Sequence, residues 1–345
     1  FPNLDLKKFK LKQGGCGKNT FQRKDFGNIS TLFWRNWMSV KQKYNRFRQS
    51  IRYLKSHPLT QKHLAKALYR YTAFHLVQFI HFNSPQIYPF IGNLKYFASV
   101  GEGGITANYY AGLEDFAEMS FLLHFLREGD VFVDVGANVG SYSLLASGIC
   151  LSKSIAIEPV PQTFQKLLAN CKLNQLEGRI KCYQVAMGNK EKDIYFSNLH
   201  TSSWNHVILN NEKQTTHRKV IQVKQITLDN LLNAEQPSLI KIDVEGFEYE
   251  VLEGASKQIK NPNLKSIIIE LNGSGKRYGH SDDQVISILR GAGFSSYCYD
   301  PYHRKLKELD SKNDTGFNTI FIRDFNFVAE RVAGAKEFKV LNECI

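Results

Sequence analysis

The chain has 345 residues, with 45 Lys plus Arg against 32 Asp plus Glu and a formal net charge of +13. That length suits one large domain with an appendage, or two domains. A hydrophobic content of 43% and a charged content of 22% exclude a disordered polyelectrolyte. No uninterrupted run of 18 apolar residues reads as a transmembrane helix. The charge is uneven. Residues 1–90 carry 17 Lys plus Arg and only two acids, Asp5 and Asp25, so the whole positive excess lies in the first quarter. Such a region suits an anionic partner (nucleic acid, a lipid head group or an acidic glycan), and equally a solvated helical face. The six cysteines, at 16, 150, 171, 182, 298 and 344, form no C-x-x-C pair and have no histidines at zinc spacing. They read as free thiols of a reducing, cytoplasmic location, and no residue is assigned as a metal ligand.

In chain order, residues 1–30 are polar and glycine-bearing and read as loosely structured. Residues 31–55 mix aromatics with Lys and Arg, the pattern of an amphipathic helix. After Pro58, Leu59 to Phe82 reads as a longer helix with Thr60 as its cap. Residues 1–88 together form a basic, aromatic-rich helical extension. Residues 89–128 are expected to lead into the core, with NLKYFASV and ITANYYAG as a hairpin across GEGG, then a helix from Leu113 to Leu126.

The run Val131 to Val133 reads as a buried strand ending in Asp134. A glycine turn follows at Gly136 and Gly140, with Asn138 between them, and then a helix. A second strand, Ser154 to Ile157, ends in Glu158. This strand–turn–helix–strand text is the opening of a Rossmann-like nucleotide site, in which glycines admit a ligand to the backbone and a later acid takes ribose hydroxyls. It is not the G-x-G-x-x-G of dinucleotide enzymes, because Asn138 stands where a pyrophosphate needs glycine. S-adenosylmethionine fits instead: its ribose is bare and its anionic end is a carboxylate, which helix N-termini also bind.

The alternation then continues. Helix Pro161 to Asn174 and strand Ile180 to Val185 come first. A projecting pair, Ile194 to Phe196 with Val220 to Val223, precedes a helix capped by Thr227. Strand Leu239 to Ile242 ends at Asp243, a helix covers Phe247 to Leu252, and strand Ser266 to Ile269 ends at Glu270. A helix over Ser281 to Arg290 is followed by two last strands, Phe294 to Tyr299 and Phe317 to Ile322. Repeated βα units imply a parallel sheet, and the last pair implies an antiparallel strand at one edge.

Ligands of open α/β sheets bind beyond the carboxyl ends of the strands. Asp134, Glu158, Asp243 and Glu270 end four predicted strands and so should share one rim. Lys241, Asp243 and Glu245 place three charges around one strand end. Asp243 and Glu245 suit the orientation or deprotonation of a hydroxyl, or oxygen ligation of a divalent cation, and equally a helix N-terminus with Lys241 as counter-ion.

The blocks FVDVGANVGSYSLLAS, AIEPVPQTFQKLLANCKLN, VAMGN, TSSW, ITLDNLL, LIKIDVEGFEYEVLEGA and IIIELN follow one another in the order of FkbM-type methyltransferases, which the chain resembles from about Gly129 to Ile322. The resemblance implies a Rossmann-like class I methyltransferase fold, α/β with a mostly parallel seven-stranded sheet and an antiparallel edge strand. The S-adenosylmethionine-binding domain would span 129–325, with a C-terminal tail at 326–345. It also implies roles. Asp134, Gly136, Asn138 and Gly140 would line the methionine part of S-adenosyl-L-methionine, Glu158 would take its ribose, and the Ala186-Met187 turn would flank adenine. Ser202 and Ser203 would lie in a serine-rich loop near the cofactor. Asp243 and Glu245 would stand beside the transferred methyl, with Asp243 the first candidate for orienting or accepting the acceptor's proton, ahead of Glu270 and His280.

The expected function is therefore O-methylation of a sugar, glycan or natural-product hydroxyl. Asp243-Val244-Glu245-Gly246 replaces the Asn/Asp-Pro-Pro-aromatic block of base-amine methylation, which favours oxygen over nitrogen as acceptor. Two other readings stand beside it: an RNA-directed methyltransferase using the basic extension, and a non-catalytic adaptor retaining the fold. An oligomer is compatible with all three.

Overall fold

A computed structural model describes residues 44–197, 205–209 and 220–345. The chain divides into two units, Phe1–Arg52 and Tyr53–Ile345. In the first, the described residues 44–52 are helical. The expectations for residues 1–43, and for Ser202 and Ser203, fall outside the described residues. No helix among the described residues is long and apolar enough to cross a membrane.

The second unit begins on the buried side chains of Leu54 and Leu59. His57 fixes this entry, with its Nε2 2.7 Å from the Leu113 carbonyl oxygen. Helix α1 (Leu64–Ile80) follows, then strands β1 (Gln86–Pro89) and β2 (Lys95–Ala98), which pair antiparallel. ITANYYAG, expected as the second arm of a hairpin with NLKYFASV, is instead helix α2 (Gly103–Ala111), and β2 takes β1 as its partner. Glu102 explains the switch. Its carboxylate accepts from the Ser99 N–H and pairs with Lys166, while its carbonyl accepts the first helical bond, from Thr106. Helix α3 (Phe116–Phe125) leads into the core.

The core elements are β3 (Val131–Val135), α4 (Ser141–Gly148), β4 (Lys153–Ile157), α5 (Pro161–Leu173) and β5 (Ile180–Tyr183). Next come β6 (Ala186–Met187), β7 (Lys192–Ser197), β8 (Val207–Ile208) and β9 (Val220–Ile226), the short helix α6 (Leu228–Leu232), β10 (Leu239–Ile242) and α7 (Glu248–Glu253). The last are β11 (Ser266–Glu270), α8 (Asp282–Gly291), β12 (Ser295–Asp300), β13 (Lys305–Leu309), β14 (Asn318–Ile322) and α9 (Phe325–Ala333).

Eight strands form one sheet in the order β13-β12-β14-β11-β10-β3-β4-β5. The run from β11 to β5 is parallel. An antiparallel strand does close one edge, but it is β13, a polar segment with no sequence signal of its own. Asn318–Ile322, within the last expected strand Phe317 to Ile322, lies inside the sheet between β11 and β12 and is antiparallel to both. All five of its residues are buried, which an edge position would not allow. The projecting pair is confirmed: β7 and β9 run antiparallel in a second sheet with β6 and β8. Segment 326–345, expected as a tail, holds most of α9 and a two-stranded hairpin, and buries Val328, Val332 and Val340.

Period-two alternation sends strand side chains to opposite layers. Phe132 packs under the layer of α3 and α4, whereas Val133 and Val135 face the layer containing α6, α7 and α8. Lys241 falls on the α3/α4 face of β10, between Ile240 and Ile242 of the other face, so a charged side chain is carried into a core layer.

That layer also holds Glu118, 8% exposed on α3, whose carboxyl is pushed up to about 8 by burial and then by Asp115. A carboxyl with a raised folded-state pKa contributes most when protonated, and its contribution is lost as pH rises from the unfolded value to the folded one. Wild-type thermal stability is therefore expected to fall between pH 6.5 and pH 8. Glu118→Gln should flatten that slope and melt higher than wild type at pH 8, as read by differential scanning calorimetry.

Candidate functional site

The carboxyl ends of β3, β4, β10 and β11 open onto one cavity of about 270 Å³. Asp134, Glu158, Asp243 and Glu270, each predicted to end a strand, all line it, together with Gly136, Asn138 and Glu245. Gly140 does not. It caps α4 at a φ of 96°, where a Cβ would crowd Leu167, so its glycine serves the turn and the packing of α4 on α5. Ala186 and Met187 line a narrower apolar cleft with Ile157, Val207 and Phe247. The two cavities share Gly136, Pro159, Phe196 and Val244 as walls.

The first turn is built for close approach. Gly136 has a φ of 83°, and a Cβ there would overlap the Asp243 carbonyl oxygen. Asn138 takes a φ of 50°, the left-handed conformation that asparagine tolerates better than most residues, so the turn is glycine-like without glycine. Its Oδ1 is buried without a hydrogen-bond partner. Glu158 ties this turn to the next: its Oε2 accepts from the Asn138 N–H at 3.1 Å and its Oε1 from the Val160 N–H at 2.9 Å. Burial pushes the Glu158 carboxyl up to about 7 against those two donors.

Asp134 is 1% exposed and accepts from Ser143 Oγ at 2.7 Å. Lys241, 3% exposed, places its ammonium 2.6 Å from Asp243 Oδ2 and 4.7 Å from the centre of the Tyr142 ring. Burial alone would lower its pKa, but the carboxylates of Asp243, Asp134 and Asp115 outweigh burial and keep it charged. The Tyr142 hydroxyl donates to Asp115 at 2.8 Å. The loop after β10 is held from below, where Glu248 Oε1 accepts the backbone N–H groups of both Val244 and Gly246 at 3.1 Å. That loop sets Glu245 at a φ of 56°. A left-handed conformation in a non-glycine residue is costly and persists only where its surroundings over-determine it. Burial and then Asp243 push the Glu245 carboxyl up to about 7, while burial and then Asp243 and Glu245 push Glu270 up to about 9.

His280 lies outside the cavity lining. Its ring stacks on Tyr249 at 3.8 Å, with Nε2 3.3 Å from Glu250. Several lining residues carried no sequence signal. Glu114 and Asp115 precede α3, and Asn318 begins β14, so they reach the rim only through tertiary placement. In all, seven carboxylates line the cavity, against one lysine.

Two substitutions test this construction. Gly136→Ala is expected to destabilise by about 2 kcal/mol or more, from overpacking and a disfavoured φ. Lys241→Met strips the counter-ion from a carboxylate cluster and is expected to cost about 3–5 kcal/mol. Urea unfolding checks both, and a change under about 1 kcal/mol in either would contradict the packing described.

Residues 134–296 match the family model described as Methyltransferase FkbM domain. Hexuronic acid methyltransferase AglP of Haloferax volcanii is 28% identical over 156 residues, covering 44% of this chain and 59% of the relative. The chain thus spans about three-fifths of that relative's length. The 31-O-demethyl-FK506 methyltransferase FkbM of Streptomyces tacrolimicus is 26% identical over 216 residues, covering 53% of this chain and 80% of the relative. Among solved structures, methyltransferase FkbM from Methylobacillus flagellatus KT has a TM-score of 0.38 and 15% identity, covering 64% of this chain and 52% of that one. The match to the FkbM methyltransferase domain thus takes in the glycine turn and the four strand-end acids of the rim just described.

Proposed function

We propose that the cavity binds S-adenosylmethionine and that the protein methylates a hydroxyl of a neutral sugar, glycan or natural product. The observation that carries this reading is the charge of the walls: seven carboxylates and one lysine around a cavity joined to an apolar cleft. Such a cavity attracts the sulfonium and ammonium of the cofactor, whose single carboxylate is left to the helix N-terminus behind the Gly136 turn, and it disfavours polyphosphates. It also disfavours an RNA acceptor. A ring enters the apolar cleft beside Ala186, Met187 and Phe247, and Glu158 receives the ribose. The Gly136 turn admits the chain that follows, and the unpartnered Asn138 Oδ1 is positioned to accept a hydrogen bond from it.

When bound, the cofactor supplies an activated methyl, whose bond to sulfur breaks as a bond to the acceptor oxygen forms, leaving a neutral thioether. The protein's task is to hold the acceptor oxygen in line and to receive its proton. Asp243 is placed for the second task. Its Oδ2 is engaged by Lys241, which fixes the carboxylate and leaves Oδ1 for the acceptor.

Calorimetry with S-adenosylmethionine tests the cofactor, and Glu158→Ala is expected to weaken binding about tenfold or more. Asp243→Asn should lower kcat by about 10²–10⁴ while leaving cofactor affinity within about threefold. Products formed with labelled cofactor and a panel of neutral and carboxylated acceptors should be alkali-stable methyl ethers. Alkali-labile esters would overturn the hydroxyl assignment.

A further inference from the structure

Asp243, Glu245 and Glu270 bring one carboxylate oxygen each to within 4.8 Å of one another. They come from the end of β10, the strained loop behind it and the end of β11, so the cluster is set by the sheet rather than by one flexible segment. A second observation points to the same place. Asn318 is 7% exposed, lines the same cavity, and has an Oδ1 without a hydrogen-bond partner. It sits directly opposite Glu270 in the β11/β14 register, so both side chains leave the same face of the sheet. Glu270 Oε2 is likewise buried and unpartnered. A buried amide oxygen beside a buried carboxylate oxygen, neither with a donor, is an arrangement that a cation satisfies.

The charges agree. Three carboxylates lie around the buried ammonium of Lys241, which takes Asp243 Oδ2, and the exposed Arg277 lies near Glu245. With all three ionised, as a bound cation would hold them, the excess is about two negative charges. The donor set is all oxygen and includes a neutral amide, which selects hard cations over zinc or copper. Three oxygens within 4.8 Å of one another have a common centre no more than about 2.8 Å from each, so a shift of a few tenths of an ångström brings them to the roughly 2.3–2.6 Å of calcium ligands.

We propose that Asp243, Glu245, Glu270 and the Asn318 amide oxygen form a site for one divalent, oxygen-seeking cation at the acceptor end of the cavity. The ion's role rests on the function proposed above, whereas its binding stands on the geometry alone. An ion held by these four groups keeps open positions toward the cavity. There it takes the acceptor hydroxyl, and a neighbouring oxygen of the same acceptor where one exists. The acceptor class that fits is therefore a vicinal diol or hydroxycarbonyl compound, with the coordinated hydroxyl more readily deprotonated.

The test uses the full chain stripped by chelator and titrated with Mn²⁺, the free ion being read by electron paramagnetic resonance. One Mn²⁺ per chain is expected, with affinity about tenfold or more weaker in Glu270→Gln and also reduced in Asn318→Leu. Circular dichroism confirms folding, and Glu245→Gln carries the same expectation if Glu270→Gln does not fold. No uptake at millimolar Mn²⁺, or uptake unchanged in these variants, overturns the proposal. Calorimetry with S-adenosylmethionine on the same samples separates the two readings. Cofactor binding without Mn²⁺ uptake removes the cation site alone, and loss of both removes the cofactor assignment as well.

Discussion

The Lys241–Asp243 ion pair is the interaction on which the rim depends. Sheet alternation places a lysine on an inward face, where burial would normally strip its charge. Carboxylates on three sides reverse that outcome: Asp243 beside it, Asp134 on the neighbouring strand and Asp115 behind Tyr142. The lysine in turn lets those acids crowd one cavity. Desolvation raises the carboxyls of Asp134, Asp115 and Glu114, and Lys241 is the cation that lowers each of them. Neither side of this arrangement is stable without the other. The same pairing fixes one oxygen of Asp243.

The backbone around this pair is equally constrained. Gly136 and the Asp243 carbonyl approach so closely that no side chain fits between the first turn and the fourth parallel strand. Glu158 and Glu248 each spend carboxylate oxygens on two backbone N–H groups, one clamping the first turn to the second, the other bracing the loop after β10. These two acids brace their loops from beneath, and Glu158 does so while also lining the cavity. The strained φ of Glu245 persists because the Glu248 clamp and the Gly246 turn over-determine it.

The parallel half of the fold was legible because its signals are local. Val131–Val135, the glycine turn and Glu158 lie within one βαβ unit, and Thr227 caps its helix as expected. ITANYYAG misled because short aromatic runs fit either period, and what decided it was Glu102 anchoring a helix start through Ser99 and Lys166. Strand β13 was missed because an exposed edge demands no apolar alternation. Glu114, Asp115 and Asn318 could not be read as site residues, since Glu114 and Asp115 reach the cavity through the packing of the loop before α3 near Lys241, and Asn318 through the insertion of β14 beside β11.

That insertion has a consequence for biogenesis. β14 is synthesised late, yet it occupies an interior lane of the sheet and carries one wall of the cavity. Until it leaves the ribosome, β11 presents an open hydrogen-bonding edge of Ser-Ile-Ile-Ile-Glu, and β12 has no neighbour on that side. A nascent chain halted before residue 318 would hold a complete nucleotide half beside an adhesive, isoleucine-rich border. Assembly of the half that holds Glu270 and Asn318 is thereby tied to synthesis of β14, and chaperone demand should peak in the interval between emergence of β11 and arrival of β14.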